Sequence, residues 1–450
     1  MTLRTLISNG LLLLDDEAGW KLEKKDVIIN DNRIEQITAS PAQGEFDSII
    51  DAHQKLVMPG LINSHTHAYM TIHRNYADDL DFFTWLDNVD KVEQNMTEED
   101  VYWTTKLAII EMLKSGTTCF VDMAIKSAKE KYGPKSAVAG AVCDSGFRAV
   151  ICRGLAGSAD SDESLQKYGE AVYEMELFKG ESRISFFHGP HAPYSCEKDY
   201  LQKLTNSCRK YGIGQHIHLS ESKTEMELIA KNHDGMTPIQ YVDSVGVFDV
   251  PCVVAHAVYA TKEDIEILKN KNVSVAICPK SNMKLGNGFA PVESFLEKGV
   301  NVCLGTDGCG SSNDLNMFGA MNAAALVYKG TNQDAKAVSA ADVLKMATLN
   351  GAKMLGQENE LGTISEGAIA DLILIDLKVP QFIPANNIIS GLVYSSNGSE
   401  VDTVMVDGKI LMENRKLTTI DENQVYEEIE KITNRLQMKS AAVNEWMKVK

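Results

Sequence analysis

Long apolar runs are missing from this 450-residue chain. The longest uniform one near the start, Leu11 to Leu14, is stopped at once by Asp15 and Asp16, which is too short for a signal peptide or a membrane span. Positive charge is scarce: 44 Lys plus Arg stand against 62 Asp plus Glu, a formal charge of −18. Nucleic-acid backbones are bound by concentrated Lys and Arg, so a nucleic-acid partner is excluded and a small molecule is expected instead. The nine cysteines are odd in number. Cys119, Cys143, Cys152, Cys208, Cys252, Cys278 and Cys303 follow no short regular spacing, which argues against a disulfide framework or a zinc ribbon. Reduced thiols of this kind fit a cytoplasmic protein. No repeat of 20 to 50 residues is visible, and no strand-to-helix turn carries a Gly-x-Gly-x-x-Gly or Gly-Lys-Ser/Thr signature, so a phosphate-cradling doubly wound sheet is only the second choice.

What is present is a chain rich enough in apolar residues, 44 %, to bury a large core. Asp26 to Ile29 and Arg33 to Ile37 read as strands around an Asp31-Asn32 turn, and Ala370 to Asp376 and Val401 to Val406 read as strands near the other end, with an Asp407-Gly408 turn. We expect residues 1–56 and 366–418 to form one small β-sandwich domain together, followed by an amphipathic helical tail over 419–450 with Tyr426, Ile429, Ile432 and Leu436 on one face.

Between them, eight apolar β-type runs alternate with helical patterns: Val57 to His65, Thr117 to Asp122, Arg148 to Gly154, Ile184 to His188, Gly214 to Leu219, Cys252 to His256, Val273 to Cys278 and Val302 to Asp307. Thr97-Glu98-Glu99-Asp100 and Ser339-Ala340-Ala341-Asp342 look like capped helix starts. The pattern predicts an α/β fold, a (β/α)8 TIM barrel over 57–365.

In such a barrel the working residues sit at the carboxyl ends of the strands. His65 and His67 end the first run, His191 follows the fourth, His218 ends the fifth, His256 the sixth and Asp307 the eighth. Because side chains alternate along a strand, the His65-Thr66-His67 triplet aims both imidazoles the same way. With His218 and Asp307 they make a candidate metal set that leaves room for water. Glu221, three residues beyond His218, reads either as a carboxyl group reaching the substrate or as an ordinary helix N-terminal acid. His216 faces the same way as His218 and reads as a barrel-interior residue; His53, His73, His188 and His233 default to structural or surface roles.

Pro59-Gly60-Leu61-Ile62-Asn63-Ser64-His65-Thr66-His67, Gly189-Pro190-His191-Ala192-Pro193-Tyr194, His216-Ile217-His218-Leu219-Ser220-Glu221, Val254-Ala255-His256 and Leu304-Gly305-Thr306-Asp307-Gly308 together resemble the amidohydrolase superfamily. The stretch from Pro279 to Gly288 and the terminal Gly367 to Leu372 are similar to the branch that holds 5′-methylthioadenosine/S-adenosylhomocysteine deaminases and chlorotriazine hydrolases. The resemblance implies one divalent metal per chain, typically zinc and sometimes iron, held by His65, His67, His218 and Asp307. No Lys ends the fourth run, which favours one metal over a lysine-bridged pair. It further implies hydrolytic deamination of an adenosine-type nucleoside, with His256 and Asp307 orienting water and accepting its proton, Glu221 protonating the ring nitrogen, and Trp85 and His191 holding the substrate. Glu93 matches a ribose-binding glutamate, although Asp87 to Val92 lack the usual proline and are one residue short. Arg153 matches an arginine linked to the amino-acid tail of S-adenosylhomocysteine, without a second arginine between Ser158 and Lys167; a structural ion pair is its other reading. The alternatives are deamination of a pterin or guanine, hydrolysis of a chlorotriazine, and a non-enzymatic scaffold. Barrels of this kind often self-associate, so a homo-oligomer is a candidate state.

Overall fold

The computed structural model describes residues 3–16, 19–124 and 137–437. Eight parallel strands form one sheet whose order in space is their order in sequence: Leu61–Thr66, Thr117–Ala124, Arg148–Leu155, Ile184–Pro190, Gln215–Leu219, Cys252–His256, Ser274–Ile277 and Val302–Leu304. Helices cover them, among them Glu98–Lys114, Asp162–Leu177, Lys198–Tyr211, Lys262–Asn270 and Met317–Asn332. With both faces covered, the strands can be apolar almost throughout, which is why they read as continuous runs rather than alternating ones. Thr97 and Ser339 each close a reciprocal capping box with an aspartate three residues on.

The eighth strand meets the first through side chains. Asn63 donates from Nδ2 to Thr306 Oγ1 at 2.7 Å and accepts the Thr306 N–H at 3.0 Å, and the Asp307 N–H donates to the His65 carbonyl at 3.0 Å. Gly305 lies in this seam because a Cβ there would come within 2.8 Å of the His65 carbonyl oxygen. The nearly closed barrel thus brings the last strand against the first metal-binding candidate.

A separate nine-stranded sheet takes strands from both ends of the chain. Leu372–Asp376 pairs antiparallel with Lys55–Pro59, which lies beside Arg4–Asp16. Its apolar side buries Ile7, Leu12, Val27 and Ile34 against Ala368, Leu372, Leu374 and Met405. The Asp31-Asn32 turn is as expected, with Asp31 at φ +56°.

Three expectations need correction. The run Val57 to His65 is two strands, not one: the Gly60 N–H donates to Asp371 of the terminal sheet, whereas the next N–H, of Leu61, donates to Gly116 of the barrel. A Cβ at Gly60 would collide with Thr118. Asp307 lies beyond its strand, which ends at Leu304; the chain turns away with Asp307 at φ +63°. In the tail helix, Glu422–Arg435, Ile432 is buried and Ile429 and Leu436 pack against the core as expected, but Tyr426 is 47 % exposed and Val425 takes its place on the buried face. Residues 438–450 of that tail lie outside the described residues.

Barrel and sheet are fastened by Arg148, at the start of the third barrel strand. Its Nε and Nη2 donate to the two carboxylate oxygens of Asp371 at 2.7 and 3.1 Å, and Nη2 also reaches Asp407 at 3.3 Å. Side chains of both Arg148 and Asp371 are nearly sealed from water. Removing one partner would strand the other's charge, so Arg148→Met is expected to lower unfolding stability by about 3–5 kcal/mol, measured by denaturant titration.

Candidate active site

His65 closes the first barrel strand and His67 follows it, so period-two alternation places both rings over the barrel mouth. Their geometry is fixed from behind. His67 Nδ1 donates to the Met123 carbonyl at 2.8 Å, and His218 Nδ1 to the His191 carbonyl at 2.7 Å. A carbonyl can only accept, so both rings carry hydrogen on Nδ1 and present bare Nε2 lone pairs. Those two Nε2 atoms are 3.3 Å apart. His65 Nδ1 contacts His216 Nε2 at 3.0 Å, and its own Nε2 is buried without a hydrogen-bond partner. Asp307 Oδ1 is 3.5 Å from Nε2 of both His65 and His67.

Converging lone pairs with no proton between them repel unless a cation sits among them. Two imidazole nitrogens on a tetrahedral zinc, each about 2.0–2.1 Å from it, would stand about 3.3–3.4 Å apart, which matches the observed spacing. Burial holds His218 well below the usual imidazole range, so it is neutral and ready to ligate. The donor set therefore fits a divalent metal. Among the described residues, two overlapping groups can grip an ion: His65, His67 and His218, and His65, His256 and Asp307.

Asp307 is steadied on its other side by hydroxyls: Ser281 and Ser311 donate to Oδ2 at 2.6 and 2.8 Å, and the Gly308 N–H donates to Oδ1 at 2.7 Å. His256, at φ +72°, has Nδ1 3.0 Å from the Asn282 amide oxygen, leaving Nε2 free to accept. Burial pushes its pKa down to about 3, so the ring is neutral.

Glu221 is not a helix acid. Ser222 caps the helix Lys223–Asn232, so Glu221 stands just before it. Its backbone N–H donates to Glu225 Oε2 at 2.7 Å, its Oε1 accepts from Asn287 Nδ2 at 3.2 Å, and its Oε2 lies 3.7 Å from His256 Nε2. Burial, with the charges of Asp307 and Glu225, raises its pKa well above the ordinary carboxyl range. A carboxyl group biased toward keeping its proton thus stands in a cleft beside an imidazole biased toward losing its own.

These groups share one cavity, which is also lined by Tyr69, Met70, Phe82, Trp85, Leu86 and Tyr194. Trp85 is buried on the helix Phe82–Glu93, its indole N–H donating to the Gly310 carbonyl at 2.9 Å. Glu93 also lines the cavity and accepts from the Tyr69 hydroxyl at 2.5 Å. His191 lines it with Nδ1 3.0 Å from Ser195 Oγ. Arg153 is not on that wall: its buried guanidinium lies 3.2 Å from Glu170, the ion-pair alternative considered from sequence. No lysine is among the described residues lining the cavity. Sequence reasoning placed His216 only in the barrel interior, where it is found, and gave no role to Ser281, Asn282, Asn287 or Ser311. Three of these fall in the Pro279 to Gly288 stretch, which stood out as a motif without a chemical assignment.

The amidohydrolase family model matches residues 56–411. The chain belongs to the amidohydrolase family. This amidohydrolase is 44 % identical over 429 residues to the 5-methylthioadenosine/S-adenosylhomocysteine deaminase of Caldanaerobacter subterraneus subsp. tengcongensis, covering 95 % of the chain and 97 % of the relative. It is 42 % identical to the protein of the same name from Moorella thermoacetica, covering 92 % and 96 %. Among solved structures, an adenosine deaminase from Xanthomonas campestris with bound zinc superposes with a TM-score of 0.90 at 28 % identity, covering 97 % and 99 % of the two chains. The zinc complex of an atrazine chlorohydrolase from Arthrobacter aurescens shares the fold, with a TM-score of 0.86 at 21 % identity over 95 % and 99 %.

Because the metal would bind the folded site, saturating zinc should raise the unfolding midpoint. At a free concentration of 100 times Kd the gain is about 2.7 kcal/mol. A chelator should reverse it, and His218→Ala should abolish the zinc-dependent shift in a calorimetric scan.

Proposed function

We propose that this amidohydrolase is a hydrolytic deaminase of adenosine-type nucleosides, using one zinc ion per chain held by His65, His67, His218 and Asp307. The observation that carries the reading is Glu221: a buried carboxyl group, biased toward its protonated form, that lines the same cavity as the donor set and a buried tryptophan. Displacing an amine from an aromatic ring needs a proton on the ring nitrogen beside the attacked carbon, and a carboxyl group with a raised pKa can give it. The names of the relatives and the zinc in the neighbouring structures support the same reading.

The ion's contribution when bound is to lower the pKa of water from about 15.7 toward about 7. The chain's own residues do the rest. His256, neutral with a bare Nε2, accepts the proton of the attacking water together with Asp307, whose orientation Ser281 and Ser311 fix. Glu221 passes its proton to the ring nitrogen as the carbon–oxygen bond forms. A second proton transfer to the exocyclic amine lets ammonia leave as the carbon–nitrogen bond breaks, so adenosine-type substrate plus water becomes the inosine derivative plus ammonia. The Trp85 indole face and His191 pack against the nucleoside, and Glu93, oriented by Tyr69, accepts from ribose hydroxyls. Arg153 is left out, since Glu170 already takes its charge. The reading therefore favours an uncharged 5′ substituent, as in adenosine or methylthioadenosine, over the zwitterionic tail of S-adenosylhomocysteine. The nine cysteines, none of them in a disulfide, suit a reducing compartment, the cytoplasm.

Ammonia release from adenosine, methylthioadenosine and S-adenosylhomocysteine tests this directly; a zinc-loaded enzyme inert to all three overturns it. Glu221→Gln is expected to lower kcat by about 10²–10⁴-fold while the metal content, read by elemental analysis, stays at one per chain. Because Glu221 must carry its proton, kcat/KM should fall as pH rises through its elevated pKa, and that alkaline limb should be absent from the residual activity of the Gln variant.

A further inference from the structure

Glu221 has two oxygens, and only one can carry the proton. Asn287 Nδ2 stands 3.2 Å from Oε1, while Oε2 faces His256 Nε2 at 3.7 Å. An amide N–H can only donate, and a protonated carboxyl oxygen is a poor acceptor, so a donor at Oε1 leaves the proton to Oε2. We propose that Asn287 is a positioning residue which decides that Oε2, the oxygen beside His256, is the one that holds and releases the proton. This rests on the reading of Glu221 as the proton donor.

The surroundings of Asn287 are built for the purpose. It is 5 % exposed, and its backbone is held at both ends: its N–H donates to the Asn282 carbonyl at 2.9 Å, and its carbonyl accepts from the Tyr259 hydroxyl at 2.5 Å. The Tyr259 N–H in turn donates to the Ser220 carbonyl at 2.9 Å. Asn287 and the turn bearing Glu221 therefore move as one frame. Gly286 and Gly288 flank it at φ +67° and +110°, a left-handed pair that bends the chain inward and that side chains with a Cβ would resist. The same stretch sends Asn282 to His256 and Ser281 to Asp307, so the short helix Pro279–Lys284 and the turn after it touch every group assigned to proton transfer.

The donor role and a merely structural role rank two substitutions in opposite order. Asn287→Asp keeps the shape but replaces the donor with an acceptor and a like charge; Asn287→Ala only deletes the bond. If Asn287 selects the oxygen, Ala lowers kcat by about tenfold or more with KM within about twofold of wild type, and Asp falls about tenfold further. Both variants should retain wild-type zinc content and unfolding midpoint. A loop-packing role predicts that Asp outperforms Ala. That order, or two variants as active as wild type, overturns the proposal. A second measurement does not need turnover. In the infrared difference between each background and its Glu221→Gln counterpart, the carboxylic C=O stretch should move to higher wavenumber in Asn287→Ala, because Oε1 loses its donor; an unmoved band overturns the proposal. Failure of the wild type to release ammonia would sink the deaminase reading alone, because the infrared shift depends only on the bond between the two side chains.

Discussion

Repulsion between bare imidazole lone pairs governs the centre of this molecule. Two main-chain carbonyls, of Met123 and His191, force hydrogen onto the back nitrogens of His67 and His218, and the front nitrogens are then driven together at 3.3 Å. With hydrogen held on each Nδ1, neither of these two nitrogens can donate to the other, so only a third partner placed between them can relieve the contact. A small, doubly charged ion can. The carbonyls come from the ends of the second and fourth barrel strands, so the register of the sheet sets the protonation of the rings. Moving either strand by one residue would replace the carbonyl and lose the tautomer.

The acid and the base beside that centre are set apart by the same environment. Burial lowers the pKa of the His256 imidazole and raises that of the Glu221 carboxyl, biasing two groups 3.7 Å apart toward the proposed roles of acceptor and donor. The apolar wall of Met70, Phe82, Trp85 and Leu86 helps keep the dielectric low. Exclusion of water is the largest cause for both and acts in opposite chemical senses, because one is a cationic acid and the other a neutral one; the charges of Asp307 and Glu225 add to it at Glu221.

How much of this was readable from the sequence depends on the range over which each feature is determined. The His65-x-His67 pair, His218 and the barrel order follow from local alternation and from strand-end placement, so they were legible. Asp307 was found, but its position past the end of its strand follows from Gly305 slipping against His65, a contact across 240 residues of chain. The break at Gly60 was invisible because both halves of Val57 to His65 are equally apolar; only the change of hydrogen-bond partner from Asp371 to Gly116 divides them. Tyr426 was assigned to the buried face in place of Val425, since periodicity alone does not fix which side a short helix presents. Arg153 had two readings, and Glu170, seventeen residues on, decides its orientation. The spacing of His216 showed its inward position but not its contact with His65, and Asn282 and Asn287 carry no signature at all, because residues that hold other residues are specified by tertiary geometry rather than by spacing.

The sheet that takes strands from both ends of the chain bears on how the protein emerges from the ribosome. Lys55–Pro59 waits for Leu372–Asp376, more than 300 residues later, before one of its edges is covered. During synthesis at roughly 5–20 residues per second that edge stays open for about 15 to 60 seconds. An uncovered strand edge invites pairing with other chains, so nascent copies on one polysome are exposed to mutual aggregation throughout the interval in which the barrel is being made. The exposed edge lies on residues 55–59, immediately before the barrel strand that carries His65, so pairing there with another chain would also hold back the first strand of the barrel.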